Sequence, residues 1–128
     1  MAARSRKKIL LVDDDPVILK LVERALCEHG FAVICASNGH EAMESAKKET
    51  PDLIILDVLL PGLDGTEIAG LLQEDLRTHH IPVLYLTSLE PKEDQVLEEN
   101  LKPDIIFTKP TNMNQLVEKV KDVTKNRN

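Results

Sequence analysis

The stretch Leu53-Ile54-Ile55-Leu56-Asp57-Val58-Leu59-Leu60-Pro61-Gly62-Leu63-Asp64-Gly65 decides how the chain is read. Four large aliphatics run without a break into one carboxylate, and a turn rich in Pro and Gly follows. An unbroken apolar run bounded by turn residues fits a strand buried on both faces, as in a parallel sheet. Asp57 then stands at the carboxyl end of that strand, the edge of an open α/β sheet where ligands and chemistry collect. Asp is also common simply where strands stop, so this stretch alone leaves Asp57 open between a loop residue and a reactive one.

Working outward, the neighbouring segments repeat the pattern. Lys8 to Val12 reads as a strand running into Asp13-Asp14-Asp15-Pro16. Pro16 suits the first position of a helix, and Asp15 suits its N-cap. Ile18, Leu21, Val22, Ala25 and Leu26 fall on one helical face, and Gly30 closes the helix. Phe31 to Ala36 is the second strand. His40 to Glu49 is a helix with Ala42, Met43 and Ala46 inward, broken by Thr50-Pro51-Asp52. Beyond the Pro/Gly turn, Thr66 to Leu76 carries Ile68, Leu71, Leu72 and Leu76 at helical spacing. Ile81 to Leu86 is a fourth strand ending at Thr87-Ser88. Pro91 to Asn100 is an acidic helix with Val96 and Leu97 inward. Asp104 to Thr108 is a fifth strand ending at Lys109-Pro110, and Thr111 caps a last helix with Leu116, Val117, Val120 and Val123 in a stripe. Five strands alternating with five helices imply one α/β domain, with a parallel sheet and helices on both faces.

Length and composition agree. The chain has 128 residues, 42% hydrophobic and 30% charged, with a net charge of −6. This suits a single globular domain. The acidic balance argues against direct nucleic-acid binding, which needs Lys and Arg to neutralise phosphates. The basic ends, Arg4 to Lys8 and Lys119 to Arg127, read as solvated termini. Phe31, Phe107 and Tyr85 are too few to build a stacking surface. No apolar run approaches the length of a membrane span, and Met1 to Lys8 lacks the apolar core of a signal peptide. A cytoplasmic protein is expected, with Cys27 and Cys35 as two reduced thiols outside any metal-ligand pattern.

Four of the strands end in polar residues of useful types: Asp13-Asp14, Asp57, Thr87 and Lys109. In a parallel sheet these ends share one edge. Crowded carboxylates repel unless one protonates or a cation neutralises them. Mg²⁺ suits such a group, since it takes one or two carboxylates, keeps waters and shares a substrate phosphate. Asp13 and Asp14 are then the metal carboxylates, and Asp57 is a nucleophile able to form an acyl phosphate. Lys109 supplies positive charge and Thr87 a hydroxyl for the phosphoryl oxygens. Phosphoryl transfer asks for this positioning and neutralisation. Singly, each residue has a commonplace explanation as a cap or loop residue; four at successive strand ends are poorly explained by coincidence.

On ILLVDDD (Ile9 to Asp15), LIILDVLLPGLDG (Leu53 to Gly65), PVLYLTS (Pro82 to Ser88) and Lys109-Pro110, the chain resembles the receiver domains of two-component response regulators over residues 6–125. The resemblance implies the flavodoxin-like/CheY-like sheet order 2-1-3-4-5. It implies a bacterial phosphoacceptor module, and no enzyme beyond assistance to its own phosphorylation and dephosphorylation. Asp57 would be phosphorylated by a histidine kinase or a histidine phosphotransfer protein. Asp13, Asp14, Asp57 and the backbone carbonyl of Leu59 would hold Mg²⁺, with Asp14 the more direct of the acidic pair. Thr87, beside Ser88, is the expected switch hydroxyl and Lys109 the phosphate-binding lysine. The signal would pass to a downstream effector or an output domain, and the family pattern admits a phosphorylation-dependent homodimer.

The sequence departs from that pattern at Ile106, where the family usually has Tyr or Phe three residues before the lysine. Lys102-Pro103 replaces the common Gly-Ala. Leu59 and Leu89 stand at positions bordering the path of hydrolytic water, which should slow loss of phosphate. Two other readings compete: a haloacid dehalogenase-like phosphatase with Asp13 as nucleophile and Asp15 as acid/base, and a degenerate receiver that only docks proteins. A stand-alone receiver and a fragment of a longer protein fit equally.

Overall fold

The computed structural model describes residues 6–57, 65–87, 106–108 and 113–125. Among these the element order is β1 (Lys8–Val12), α1 (Pro16–Glu28), β2 (Ala32–Ala36), α2 (Gly39–Glu49), β3 (Leu53–Asp57), α3 (Gly65–Glu74), β4 (Val83–Thr87), β5 (Ile106–Thr108) and α4 (Met113–Lys125). The strands form one sheet in the order β2-β1-β3-β4-β5, every neighbouring pair parallel. The helix expected over Pro91 to Asn100, the Thr111 cap and the start of the fifth strand lie outside the described residues.

Alternation along the strands sends side chains to two separate cores. Leu10, Val12, Ile54, Leu56 and Tyr85 pack with Ala42 and Ala46 of α2 and with Ile68 and Leu72 of α3. Ile9, Leu11, Leu53, Ile55, Leu84 and Leu86 pack with Val22 and Leu26 of α1 and with Leu116, Val117 and Val120 of α4. Helices therefore cover both faces, which is why β3 has no polar alternation: all five of its residues are buried. Each fully buried Leu or Ile is worth about 1.5–3 kcal/mol relative to leaving it in water. Among the described residues no helix is long and apolar enough to cross a membrane.

Local chemistry sets the helix ends. Asp15 caps α1, with Pro16 at its first turn. Gly30 follows at φ 92°, the left-handed conformation that glycine adopts without a Cβ penalty. Asn38 caps α2, its side chain accepting from Glu41 N–H, so the helix starts at Gly39, one residue before the expected His40. Phe31 is buried but precedes β2, its N–H donating to Leu26 O at 3.1 Å.

Three expected core residues are not core. Leu21 is 51% exposed, Leu71 43% and Leu76 86%. Leu21 lies about 100° around α1 from Val22, past the arc that the sheet covers. Leu76 is not helical at all, because α3 stops at Glu74. Asp75 Oδ1 accepts from Arg77 N–H at 2.8 Å, and the buried Thr78 hydroxyl donates to Leu72 O at 2.7 Å. Those bonds satisfy the end of the helix and turn the chain outward before Leu76 can complete the stripe.

Candidate phosphoacceptor site

The parallel register builds the site. Ile9 lies opposite Leu53, and the pairing runs to Val12 opposite Leu56. One further step sets Asp13 beside Asp57. Both residues continue the odd-numbered series, Ile9-Leu11-Asp13 and Leu53-Ile55-Asp57, so both belong to the sheet face covered by α1 and α4. The Asp13 N–H donates to Ala36 O at 3.1 Å, extending the β1–β2 ladder one residue beyond the strand. Asp13 is 1% exposed and Asp57 3%, whereas Asp14, at the start of the turn, is exposed.

One carboxylate oxygen from each of Asp13, Asp14 and Asp57 lies within 4.8 Å of the others. At such separations ionised carboxylates repel strongly, the more so for the two that are buried. All-oxygen donors from two or three carboxylates, one side open to solvent, suit a hard divalent cation that keeps waters and accepts a phosphoryl oxygen. The donor set thus fits magnesium, with Asp13, Asp14 and Asp57 as the residues that would hold it. Bound there, the ion would supply neutralisation of the carboxylates and of phosphoryl oxygens.

The remaining expected site residues are placed only in part. The Thr87 backbone ends β4, one residue beyond Leu86, which pairs with Asp57, and itself pairs with Thr108. Ile106 begins β5, paired with Tyr85. Leu59, Ser88, Leu89, Lys102-Pro103 and Lys109 lie outside the described residues. The two thiols are free and at the surface, with Cys35 partly shielded by its neighbours. Partial burial, with Glu23 and Cys27 nearby, pushes the Cys35 thiol up to about 11, which keeps it protonated and sluggish. Sequence reasoning saw Asp15 as a helix cap and, in the phosphatase alternative, as an acid/base. It missed that the Asp15 N–H donates to Asp13 Oδ1 at 2.9 Å. The signal was available in the two-residue spacing from Asp13, which is that of an Asx turn.

The fold and this acidic edge define a phosphoacceptor class, and comparison with known proteins assigns the family. Residues 9–121 match the response regulator receiver domain, and the chain belongs to that family. It is 41% identical over 117 residues to the alkaline phosphatase synthesis transcriptional regulatory protein PhoP of Bacillus subtilis, covering 91% of this chain and 48% of that protein. The chain thus spans about half the length of this curated relative. Among solved structures it resembles a putative response regulator from Chloroflexus aurantiacus, with TM-score 0.86, 30% identity, and coverage of 94% of this chain and 99% of that one. It also resembles the chemotaxis response regulator CheY4 of Vibrio cholerae, with TM-score 0.83, 29% identity, and coverage of 93% and 99%. The chain is therefore a receiver, a phosphoaccepting signalling module of two-component systems. Receivers generally bind magnesium and work with histidine kinases and output domains. The phosphatase reading of Asp13 gives way to this assignment.

Proposed function

We propose that Asp57 is the residue phosphorylated and that Asp13, Asp14, Asp57 and the Leu59 carbonyl hold the magnesium ion on which transfer depends. The observation that carries this is the convergence of three carboxylates at the ends of adjacent strands. A carboxylate oxygen of Asp57 attacks the phosphorus of a phosphohistidine, borne by a histidine kinase or phosphotransfer protein. The P–N bond breaks, its electron pair stays on the imidazole nitrogen, and that nitrogen takes up a proton. Lys109 pairs with the transferred phosphoryl group, and the Thr87 hydroxyl donates to one of its oxygens. Those charge-assisted bonds form in only one loop arrangement. Phosphorylation therefore shifts the population toward it and changes a protein-binding surface around Ser88, the helix expected over 91–100 and β5. Ile106 at the usual aromatic position leaves the switch to Thr87 and the loops. Leu59 and Leu89 slow hydrolysis of the acyl phosphate. The functional unit is residues 6–125, with five helices when 91–100 is counted, and it passes its signal to a downstream effector or an output domain.

The test is phosphorylation by acetyl phosphate with magnesium, read by intact mass. Wild type should gain one phosphoryl group, Asp57→Asn none, and Asp13→Asn a smaller fraction. Undiminished labelling of Asp57→Asn would overturn the assignment.

A further inference from the structure

Asp13, Asp14 and Asp15 are three consecutive carboxylates in different surroundings. Asp13 and Asp14 belong to the crowded acidic group, whereas Asp15 is exposed and outside it. The Asp15 N–H donates to Asp13 Oδ1 at 2.9 Å, and Asp15 Oδ1 accepts from Val17 N–H at 2.9 Å. Asp15 therefore closes two successive turns, one with its backbone and one with its side chain. Pro16 has no N–H and confines the residue before it to extended backbone, as seen at φ −91° and ψ 112°. The ring of Pro16 and the cap on Val17 together aim the Asp15 amide at Asp13. A carboxylate head group rotates in a broad, two-fold well. The Asp15 N–H, held on Oδ1, narrows that well for the Asp13 carboxylate.

We propose that Asp15 is a positioning residue for the magnesium site: its cap on α1 holds its own amide against Asp13 Oδ1 and so holds the Asp13 carboxylate toward Asp57. This rests on the magnesium site proposed above. Outer partners that orient a metal ligand typically change affinity 10–100-fold when removed. The rival role is purely electrostatic, a third negative charge drawing the cation in. Asparagine separates the two, because it caps as well as aspartate but carries no charge.

The experiment is isothermal calorimetry of magnesium binding to the full chain, with urea midpoints in chelator recorded alongside. Asp15→Ala should bind magnesium roughly tenfold more weakly, while Asp15→Asn and Asp15→Ser should stay within about twofold of wild type. Wild-type affinity in Asp15→Ala overturns the positioning role and leaves the site reading intact, as does weakening of Asp15→Asn to the level of Asp15→Ala. Should Asp15→Ala not fold, Asp15→Gly decides, since glycine costs the helix little at this position but has no side chain to close the turn: weakened binding supports the proposal, and wild-type affinity overturns it. A wild type that binds no magnesium overturns the site reading itself, and this inference with it.

Discussion

Replacing Asp57 by Asn should stabilise the protein in the absence of magnesium, although it removes the proposed acceptor. One carboxylate oxygen from each of Asp13, Asp14 and Asp57 lies within 4.8 Å of the others. At an effective dielectric of about 20, two unit charges at that distance repel by about 3.5 kcal/mol. The Asp13–Asp57 pair is nearly fully buried and keeps most of that term; Asp14 is exposed, so its contribution is screened. Asparagine preserves the shape and one acceptor oxygen but weakens any charge-assisted bonds Asp57 makes. The balance is a gain of about 1–3 kcal/mol for Asp57→Asn in chelator, at roughly 3–6 °C per kcal/mol for a chain of this length. Magnesium should reverse the order of benefit, since a site filled at a hundred times its dissociation constant stabilises wild type by about 2.7 kcal/mol. The assay is urea unfolding followed by circular dichroism, with and without saturating magnesium. The variant should have the higher midpoint in chelator, and the gap should narrow or close when magnesium is added. An equal or lower midpoint in chelator would refute the crowding argument, as would equal stabilisation of both proteins by magnesium.

Two ionisations outside the site offer further checks. Burial pushes the phenol of Tyr85, the one tyrosine in the chain, up to about 12. The fold thus favours the neutral form: this contribution is complete below the unfolded value near 10 and is lost as pH rises toward 12. Absorbance titration should show ionisation near 12 or at unfolding, whichever comes first; a midpoint near 10 with unchanged circular dichroism contradicts the burial. Hydrogen bonds from the Arg77 guanidinium and backbone hold the Asp75 carboxyl down at about 2, with Lys47 adding a weaker attraction at 3.9 Å. A depressed carboxyl stabilises the fold above its unfolded value near 3.9 and loses that effect as pH falls toward 2. Arg77→Ala should move the Asp75 midpoint up toward 3.8 by carboxyl carbon NMR; no movement would show that the guanidinium is not the cause.

The fold was legible because apolar runs and breakers agree with one another along the chain. Leu53 to Leu56 could be read as a doubly covered strand before any helix was placed, and the helices then had to lie on both faces. What escaped was the width of each helix's covered arc. Helical periodicity groups Leu21 with Val22 and Leu71 with Leu72, but only the neighbouring sheet decides where the covered arc ends. Leu76 failed for a different reason. The Asp75–Arg77 turn and the Thr78–Leu72 bond are side-chain-to-backbone contacts that hydrophobic spacing does not register.

The site was legible at the level of residue type and strand end, but its geometry depends on the register of β3 against β1, which buried packing on both faces selects. Register also joins the site to the core. Asp13 and Asp57 continue the same alternating series as Leu11 and Ile55, whose side chains pack under α1 and α4. A one-residue slip of β3 against β1 would turn Asp57 to the other face. It would also send Leu53 and Ile55 into the space now filled by Ile54 and Leu56, beneath α2 and α3. Each displaced side chain risks a void or an overpacked contact costing about 1–3 kcal/mol. The aliphatic run of β3 therefore does more than bury surface: misplacing the Asp57 carboxylate requires repacking both cores, so the register of the hydrophobic residues fixes where the proposed acceptor stands.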